Sequence, residues 1–264
     1  MTLSLTPDII IAAIISGAII GVFLGTFGGG GSVLAAPLLL YVVGVSEPHV
    51  AIGTSAAAVA AIALFSLFGH WRGGNVKWPC AIVFALSGFA GSIIGSSIAK
   101  QVDGTQLLLA FSAAMAVIAL SMFRKPAFAG NPDVHLTRSI MLRLAPLGLV
   151  VGMAAGFFGI GGGFLIVPGL MLAAGMTMTN ATASSLVSVA LFGAATSANY
   201  ALSGLVDGPL VLLLLLGGAV GGVAGIGISR LLKTRVRTAR SAFAVMILVV
   251  AGYVAWNAWG ALAV

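Results

Sequence analysis

The chain has 264 residues, of which 60% are apolar and only 6% are charged, and its formal net charge is +7. Soluble domains have about a quarter of their residues charged, so this composition excludes a soluble protein and predicts an all-α polytopic membrane protein. The basic residues lie at the ends of apolar segments, as the positive-inside rule describes, and this placement excludes a nucleic-acid partner.

Five apolar segments follow one another in each half of the chain. They cover residues 9–27, 33–45, 49–70, 78–100 and 105–123, and then 139–158, 164–176, 180–203, 208–230 and 240–262. No basic residue precedes the first segment, so we expect it to be a retained helix rather than a signal peptide. The pattern predicts a first transmembrane repeat over 1–123, a cytoplasmic linker over 124–138 and a second transmembrane repeat over 139–264.

The second segment of each half is short. Thirteen helical residues cover about 20 Å, whereas the hydrocarbon core is about 30 Å thick. The charges nevertheless favour ten crossings with both termini external, because eleven of the twelve basic residues are then cytoplasmic and only Lys100 is external. Since each half crosses an odd number of times, we predict two inverted-topology repeats.

A glycine-rich break leads into each short segment. Residues Gly21 to Pro37 match residues Gly152 to Pro168 at a register of 131, with glycine on glycine and proline on proline. Beyond Val45 the register becomes 130, and it matches Ala51–Ser55 with Ala181–Ser185. Duplicated, interrupted apolar segments are typical of secondary transporters, and they indicate where the substrate binds.

Consecutive glycines destabilise a helix by about 1 kcal/mol each relative to alanine, so we expect unwound backbone at both breaks. Bare amides at the start of a short helix, together with the helix dipole, form an anion site. Ser32 is expected to cap the first short helix or to bind substrate. The candidate substrate-binding glycines are Gly28, Gly29, Gly30, Gly31, Gly159, Gly161, Gly162 and Gly163.

Close helix packing is the alternative role for glycine in a membrane helix. We favour it for the glycines at small-xxx-small spacing within long segments, where it lets two backbones approach. These residues are Gly88, Gly91 and Gly95 and their counterparts Gly218, Gly221 and Gly225.

Polar side chains within the segments provide further candidates. Thr54 and Ser55 match Ser184 and Ser185, and these hydroxyls either donate to an oxyanion or bond back to their own helix. Asn199 either contacts the ligand or bonds to a neighbouring helix. Weaker candidates of the same kind are Thr26, Ser66, Ser188 and Thr196.

Catalytic and metal-binding groups are not expected. His49 and His70 lie about 31 Å apart along one segment and cannot share a metal, and His70 beside Trp71 is expected to anchor at the interface. No cofactor is expected, and the chain is not predicted to be an enzyme. Without a charged residue in the core, two helix ends offer about one unit of positive charge, which favours a monoanion or a protonated or cation-accompanied dianion.

The glycine blocks with Pro37 and Pro168, the stretch Ala51–Ser55 and the loop His70–Trp78 resemble the sulfite exporter TauE/SafE family of membrane permeases. This resemblance implies a transporter in the bacterial cytoplasmic membrane that moves sulfite, organosulfonates or related small anions. Alternating access, with one repeat rocking against the other, is the expected mechanism.

Several points stay open at this stage. The alternatives are a metal or other cation permease and a non-catalytic membrane subunit of a larger complex. The substrate, the direction of transport, the coupling ion and assembly into a homo-oligomer are not determined by the sequence. Ser32 stands where the second half has Gly163, so the half that dominates binding is also open.

Overall fold

A computed structural model describes residues 6–123, 130–159, 163–231 and 236–262. This part of the chain is helical with connecting turns, as the all-α prediction requires. A 3₁₀ helix, Gly28–Leu34, precedes α2, and a π-helical turn, Leu39–Val43, follows it. The α-helices are α1 Pro7–Phe27, α2 Ala35–Leu38, α3 Pro48–Arg72, α4 Trp78–Ala99, α5 Gly104–Phe123, α6 Arg138–Phe158, α7 Gly163–Ala174, α8 Met178–Ala201, α9 Gly208–Leu231 and α10 Val236–Leu262.

Eight stretches of the described chain are helical, long and apolar enough to cross a membrane. Helices α3 and α8 form the centre of the bundle. In their most apolar 18 residues, 67% and 83% of the residues are buried, against 33–44% in the other spans. Large apolar side chains of the outer helices, such as Val220 and Val223 of α9, are exposed at the surface of the bundle, as a lipid-facing surface requires.

Two hydrogen bonds mark the opposite ends of the bundle. The Asp207 amide, just before α9, donates to Thr54 Oγ1 near the start of α3 at 2.9 Å. The Lys77 amide, just before α4, donates to Ser184 Oγ near the start of α8, also at 2.9 Å. We call these the Asp207 end and the Lys77 end.

Two seams of glycine join pairs of parallel helices. In the first, Gly25 of α1 approaches α9 so closely that a Cβ would lie 2.6 Å from Gly222 O. In the second, a Cβ on Gly152 of α6 would lie 2.6 Å from the carbonyl carbon of Gly88 in α4. The glycines expected to pack helices therefore do so, and their missing side chains let the backbones touch.

The two short segments each connect one end of the bundle to the other. Helix α7 runs back along α6, since its following residue Gly175 accepts a hydrogen bond from the Asn131 amide at 2.8 Å, and Asn131 precedes α6. The segment Gly28–Val43 likewise runs back along α1 to Gly44, where φ is +85°. This path is compatible with ten crossings, and full membrane crossing by these two segments stays a prediction.

Candidate functional site

The first glycine break is a single residue rather than an unwound stretch. Gly28 has φ +62° and ψ −139°, and the 3₁₀ helix that follows is buried along its whole length. A Cβ on Gly28 would lie 2.8 Å from Thr182 Cγ2 and 2.9 Å from Ser185 Oγ. Glycine is needed here both for the backbone conformation and for the close approach to α8.

At the start of this 3₁₀ helix, the amide of Gly29 is not bare as predicted. The Gly29 amide donates to Ser185 Oγ at 3.1 Å, which ties the first break to the other half of the chain. Ser32 Oγ donates to Gly29 O at 2.8 Å and does not cap α2, although the Ser32 carbonyl accepts from the Ala35 amide. The prediction of an unwound Gly28–Ser32 stretch was therefore wrong, because tertiary contacts hold it helical.

Gly30 and Gly31 are placed by packing. A Cβ on Gly30 would lie 3.3 Å from the Phe243 ring of α10. One on Gly31 would lie 2.7 Å from Phe23 Cβ, in contact with the α1 backbone. These two glycines let the 3₁₀ helix fit against α1 and α10.

The second break also begins at a glycine with positive φ. Gly159 has φ +66°, and a Cβ there would lie 3.3 Å from Ile52 Cγ1 of α3 and closer still to its Cγ2. Gly161 and Gly162 lie outside the described residues, and Gly163 is the first residue of α7. Each break therefore contacts the third segment of the opposite half, α8 for Gly28 and α3 for Gly159.

Thr54 and Ser184 do not face a common space. Each accepts a backbone hydrogen bond from the loop before α9 or α4, at the Asp207 end and the Lys77 end respectively. Because the Asp207 amide is buried and the Lys77 amide is partly buried, each needs an acceptor, and both hydroxyls have a structural role in this conformation.

Ser55 and Ser185 bond back to their own helices. Ser55 Oγ donates to Ile52 O at 3.0 Å, and Ser185 Oγ donates to Thr182 O at 2.7 Å while accepting from Gly29. The antiparallel crossing of α3 and α8 at Gly193 places the two serines about 15 Å apart along the helix direction. The structure thus separates the predicted hydroxyls into two groups.

Asn199 is engaged between helices. Its Nδ2 donates to Ser96 Oγ at 2.7 Å and to Ser97 Oγ at 2.9 Å, both on α4. Its Oδ1 accepts from Lys100 Nζ at 2.8 Å, and Lys100 also donates to Ser203 Oγ at 3.0 Å. Of the two roles considered, bonding between helices is the one that this conformation contains.

Four buried hydroxyls on α3 and α8 have no hydrogen-bond partner. Most other described serines in the helices donate to a carbonyl three or four residues earlier, so this set stands out. Ser66 and Thr196 occupy matching positions of the two halves, and each is fully buried. The four residues are Ser66, Ser188, Thr196 and Tyr200. A buried hydroxyl without a partner destabilises the structure by about 1–3 kcal/mol, so each of these four groups would be stabilised by a hydrogen bond to a bound water or polar solute.

Two aromatic polar residues were misread or missed in the sequence. His70 is not an interfacial anchor; it is 5% exposed, and its Nε2 lies 3.1 Å from Gly25 O. Tyr200 was not singled out, yet it is fully buried beside Gly53. The signal was present, because Tyr200 matches His70 at the 130-residue register.

The arrangement offers hydrogen-bond donors rather than charges. The predicted serine hydroxyls and the Gly29 amide are hydrogen-bonded within the protein in this conformation, so only the unpartnered hydroxyls of α3 and α8 have free hydrogen-bonding capacity for a small polar solute. Among the described residues, no three His, Cys, Asp or Glu side chains lie close enough to hold a metal ion.

Comparisons with known proteins cover nearly the whole chain. A family model described as Sulfite exporter TauE/SafE matches residues 13–254. A "Probable membrane transporter protein" of Xylella fastidiosa (strain 9a5c) is 44% identical over 263 residues, covering 98% of this chain and 99% of the relative. The "Probable membrane transporter protein YunE" of Bacillus subtilis (strain 168) is 28% identical over 245 residues, covering 82% and 89%. No solved structure matches the chain.

Proposed function

The chain belongs to the sulfite exporter TauE/SafE family, and on this premise we propose that it is a secondary transporter of small anions that works by alternating access. The proposed substrates are sulfite, organosulfonates and related sulfur-containing or organic anions. The family and the relatives make it a membrane transporter. The substrate class rests on the resemblance and on the donors of the site.

Two inverted repeats, 1–123 and 139–264 joined by a linker at 124–138, are part of the proposal. In support, the bond from Lys77 to Ser184 and the bond from Asp207 to Thr54 have the same length and differ in register by 130 at both residues. A two-fold axis in the membrane plane exchanges one bond for the other.

The glycines support the same relation. In the repeat alignment, Gly21 corresponds to Gly152 and Gly88 corresponds to Gly218. The contact of Gly152 with Gly88 is therefore the counterpart of the contact of Gly21 with Gly218. Seven of the described glycines have positive φ, and six of them also form matched pairs. The pairs are Gly28 with Gly159, Gly44 with Gly175, and Gly74 with Gly204.

We place the Lys77 end in the cytoplasm and both termini outside. Arg72, Lys77 and Arg138 lie at the Lys77 end, whereas Lys100 lies at the Asp207 end. Cytoplasmic loops are enriched in Lys and Arg, so this orientation follows the positive-inside rule. The bacterial relatives favour the cytoplasmic (inner) membrane.

The observation that carries the anion proposal is the 3.1 Å hydrogen bond from the Gly29 amide to Ser185 Oγ. Both partners are buried, and they come from opposite halves of the chain. When the contact opens, the Gly29 amide becomes a free donor for an oxyanion oxygen, and the Ser185 hydroxyl can donate to it as well once it rotates away from Thr182 O. The candidate set for this role remains the one derived from the sequence, with Gly29 and Ser185 at its centre near the Lys77 end and Gly159 and Ser55 near the Asp207 end.

Proteoliposomes loaded with labelled sulfite or labelled taurine test the proposal. We expect the wild type to exchange at least one of the two anions and Ser185→Ala to slow that exchange about tenfold, because a binding donor is lost. Ser112→Ala is the matched control, since Ser112 is also buried and donates only to Leu109 O at 2.8 Å. Absence of exchange by the wild type, or equal rates in the two variants, would contradict the proposal.

A further inference from the structure

Six long helices form two groups of three parallel helices. Body A consists of α1, α3 and α9, which all begin at the Asp207 end. Body B consists of α4, α6 and α8, which all begin at the Lys77 end. Each body contains one glycine seam and draws helices from both sequence halves.

Hydrogen bonds connect the three helices of body A to one another. His70 Nε2 of α3 lies 3.1 Å from Gly25 O of α1. Thr26 Oγ1 of α1 shares its hydrogen between Val22 O of its own helix at 2.7 Å and Gly225 O of α9 at 3.2 Å. The bond between the Asp207 amide and Thr54 joins the start of α9 to α3.

In body B, hydrogen bonds connect α4 and α8. Asn199 of α8 donates to Ser96 and Ser97 of α4, and Lys100 at the end of α4 donates back to Asn199 and Ser203. Among the described residues, every side-chain hydrogen bond between two of these six helices lies inside one body.

The contact between the bodies is of a different kind. Apart from the contacts of the two glycine breaks, it is the crossing of α3 and α8, where small residues meet: a Cβ on Gly193 would lie 2.9 Å from Ala56 O and 3.1 Å from Ala60 Cβ. The unpartnered hydroxyls of Ser66, Ser188 and Thr196 lie on the same two helices. A smooth contact without hydrogen bonds can slide at little cost, whereas parting either seam would separate backbones in van der Waals contact.

We infer that body A and body B are the units that move during transport, and that the two sequence repeats are not. Rocking one repeat against the other would pull α1 from α9 and α4 from α6 and would break both seams. Sliding at the crossing of α3 and α8 breaks neither seam, and it separates Gly29 from Ser185 if the 3₁₀ helix moves with α1. This inference rests on the alternating access of the proposed function.

Two cysteine pairs test the inference in a Cys80→Ser background, which removes the native cysteine. Ala60→Cys with Gly193→Cys links the two bodies, because the two Cβ atoms would lie 3.1 Å apart and a shift of a few tenths of an ångström brings them into the disulfide range of about 3.5–4.5 Å. Ser96→Cys with Asn199→Cys links the two repeats within body B. Each protein is compared in its oxidised and reduced forms, so that the reduced form controls for the substitutions.

Hydrogen–deuterium exchange of the 3₁₀ helix Gly28–Leu34 is the first measurement, because it needs no substrate and succeeds or fails independently of the proposed anion. We expect the link between bodies to slow exchange there about tenfold by locking the closed state, and the link within body B to change it less than about twofold. In proteoliposomes that carry the anion, the first link should stop transport in the oxidised form, and reduction should restore it.

Slowing by both links would show that the repeats move against each other and would overturn the inference. Slowing by neither link would overturn it as well, because the crossing of α3 and α8 would then not be the moving contact. A wild type that transports neither anion while only the first link slows exchange would leave the bodies supported and the proposed function contradicted.

Discussion

The seam between α1 and α9 makes a sharp prediction about two glycines that lie two residues apart on one helix. A Cβ on Gly225 would lie 3.0 Å from Gly25 Cα and 3.0 Å from the carbonyl carbon of Val22, and closer still to Val22 O. A Cβ on Gly227 would have no heavy atom within 4 Å. Gly225→Ala and Gly227→Ala are therefore the same chemical change in two different environments.

The expected magnitude follows from the distances. Ordinary contacts of a Cβ lie at 3.4–4 Å, so Gly225→Ala must push the two backbones apart by several tenths of an ångström or more. Overpacking of this kind destabilises a protein by about 1–3 kcal/mol. Near the melting point this corresponds to a fall in Tm of about 2–10 °C for a chain of this size. Gly227→Ala is expected to be neutral or to raise Tm slightly, because alanine favours the helix by up to about 1 kcal/mol.

The assay is thermal unfolding of the purified protein in one detergent, followed by the loss of the monodisperse species on heating. Both variants and the wild type are measured side by side. If Gly225→Ala and Gly227→Ala have the same Tm, the contact between α1 and α9 does not depend on the absence of a side chain at Gly225. That result would refute the reasoning about both seams.

Two further predictions follow from the ends of the bundle. Thr54→Val leaves the buried Asp207 amide without its acceptor, so the free energy of unfolding should fall by about 1–3 kcal/mol. The control Ser112→Ala should lower the free energy of unfolding by clearly less. Equal Tm values for the two variants would show that the bond from Asp207 to Thr54 is dispensable. An alkaline phosphatase fusion after Asp207 should be active and one after Lys77 inactive in a bacterial host, and the reverse pattern would invert the proposed orientation.

The helices could be predicted from the sequence because each depends on local hydropathy. The segments expected at 78–100 and 208–230 are helices Trp78–Ala99 and Gly208–Leu231. The packing role of Gly88 and Gly221 was likewise predictable, since small-xxx-small spacing puts all its glycines on one helix face. These features need no knowledge of what the neighbouring helix is.

The site was less predictable because its geometry depends on which helices meet. Propensity alone argued for unwound backbone at Gly28–Ser32, but packing against α1 and α10 and the bond to Ser185 keep it 3₁₀-helical. The same applies to Thr54, whose partner is 153 residues away, and to His70, which turns inward to Gly25. Asn199 was expected at a ligand or between helices, and only the position of α4 decides between these roles.

The two seams differ in the time that passes between the synthesis of their two helices. Gly88 and Gly152 leave it about 60 residues apart, whereas Gly21 and Gly218 are separated by about 200. At a translation rate of about 5–20 residues per second, α6 is synthesised roughly 3–13 s after α4, whereas α9 is synthesised roughly 10–40 s after α1. During biosynthesis, the glycine face of α1 therefore lacks its packing partner for about three times as long as the glycine face of α4.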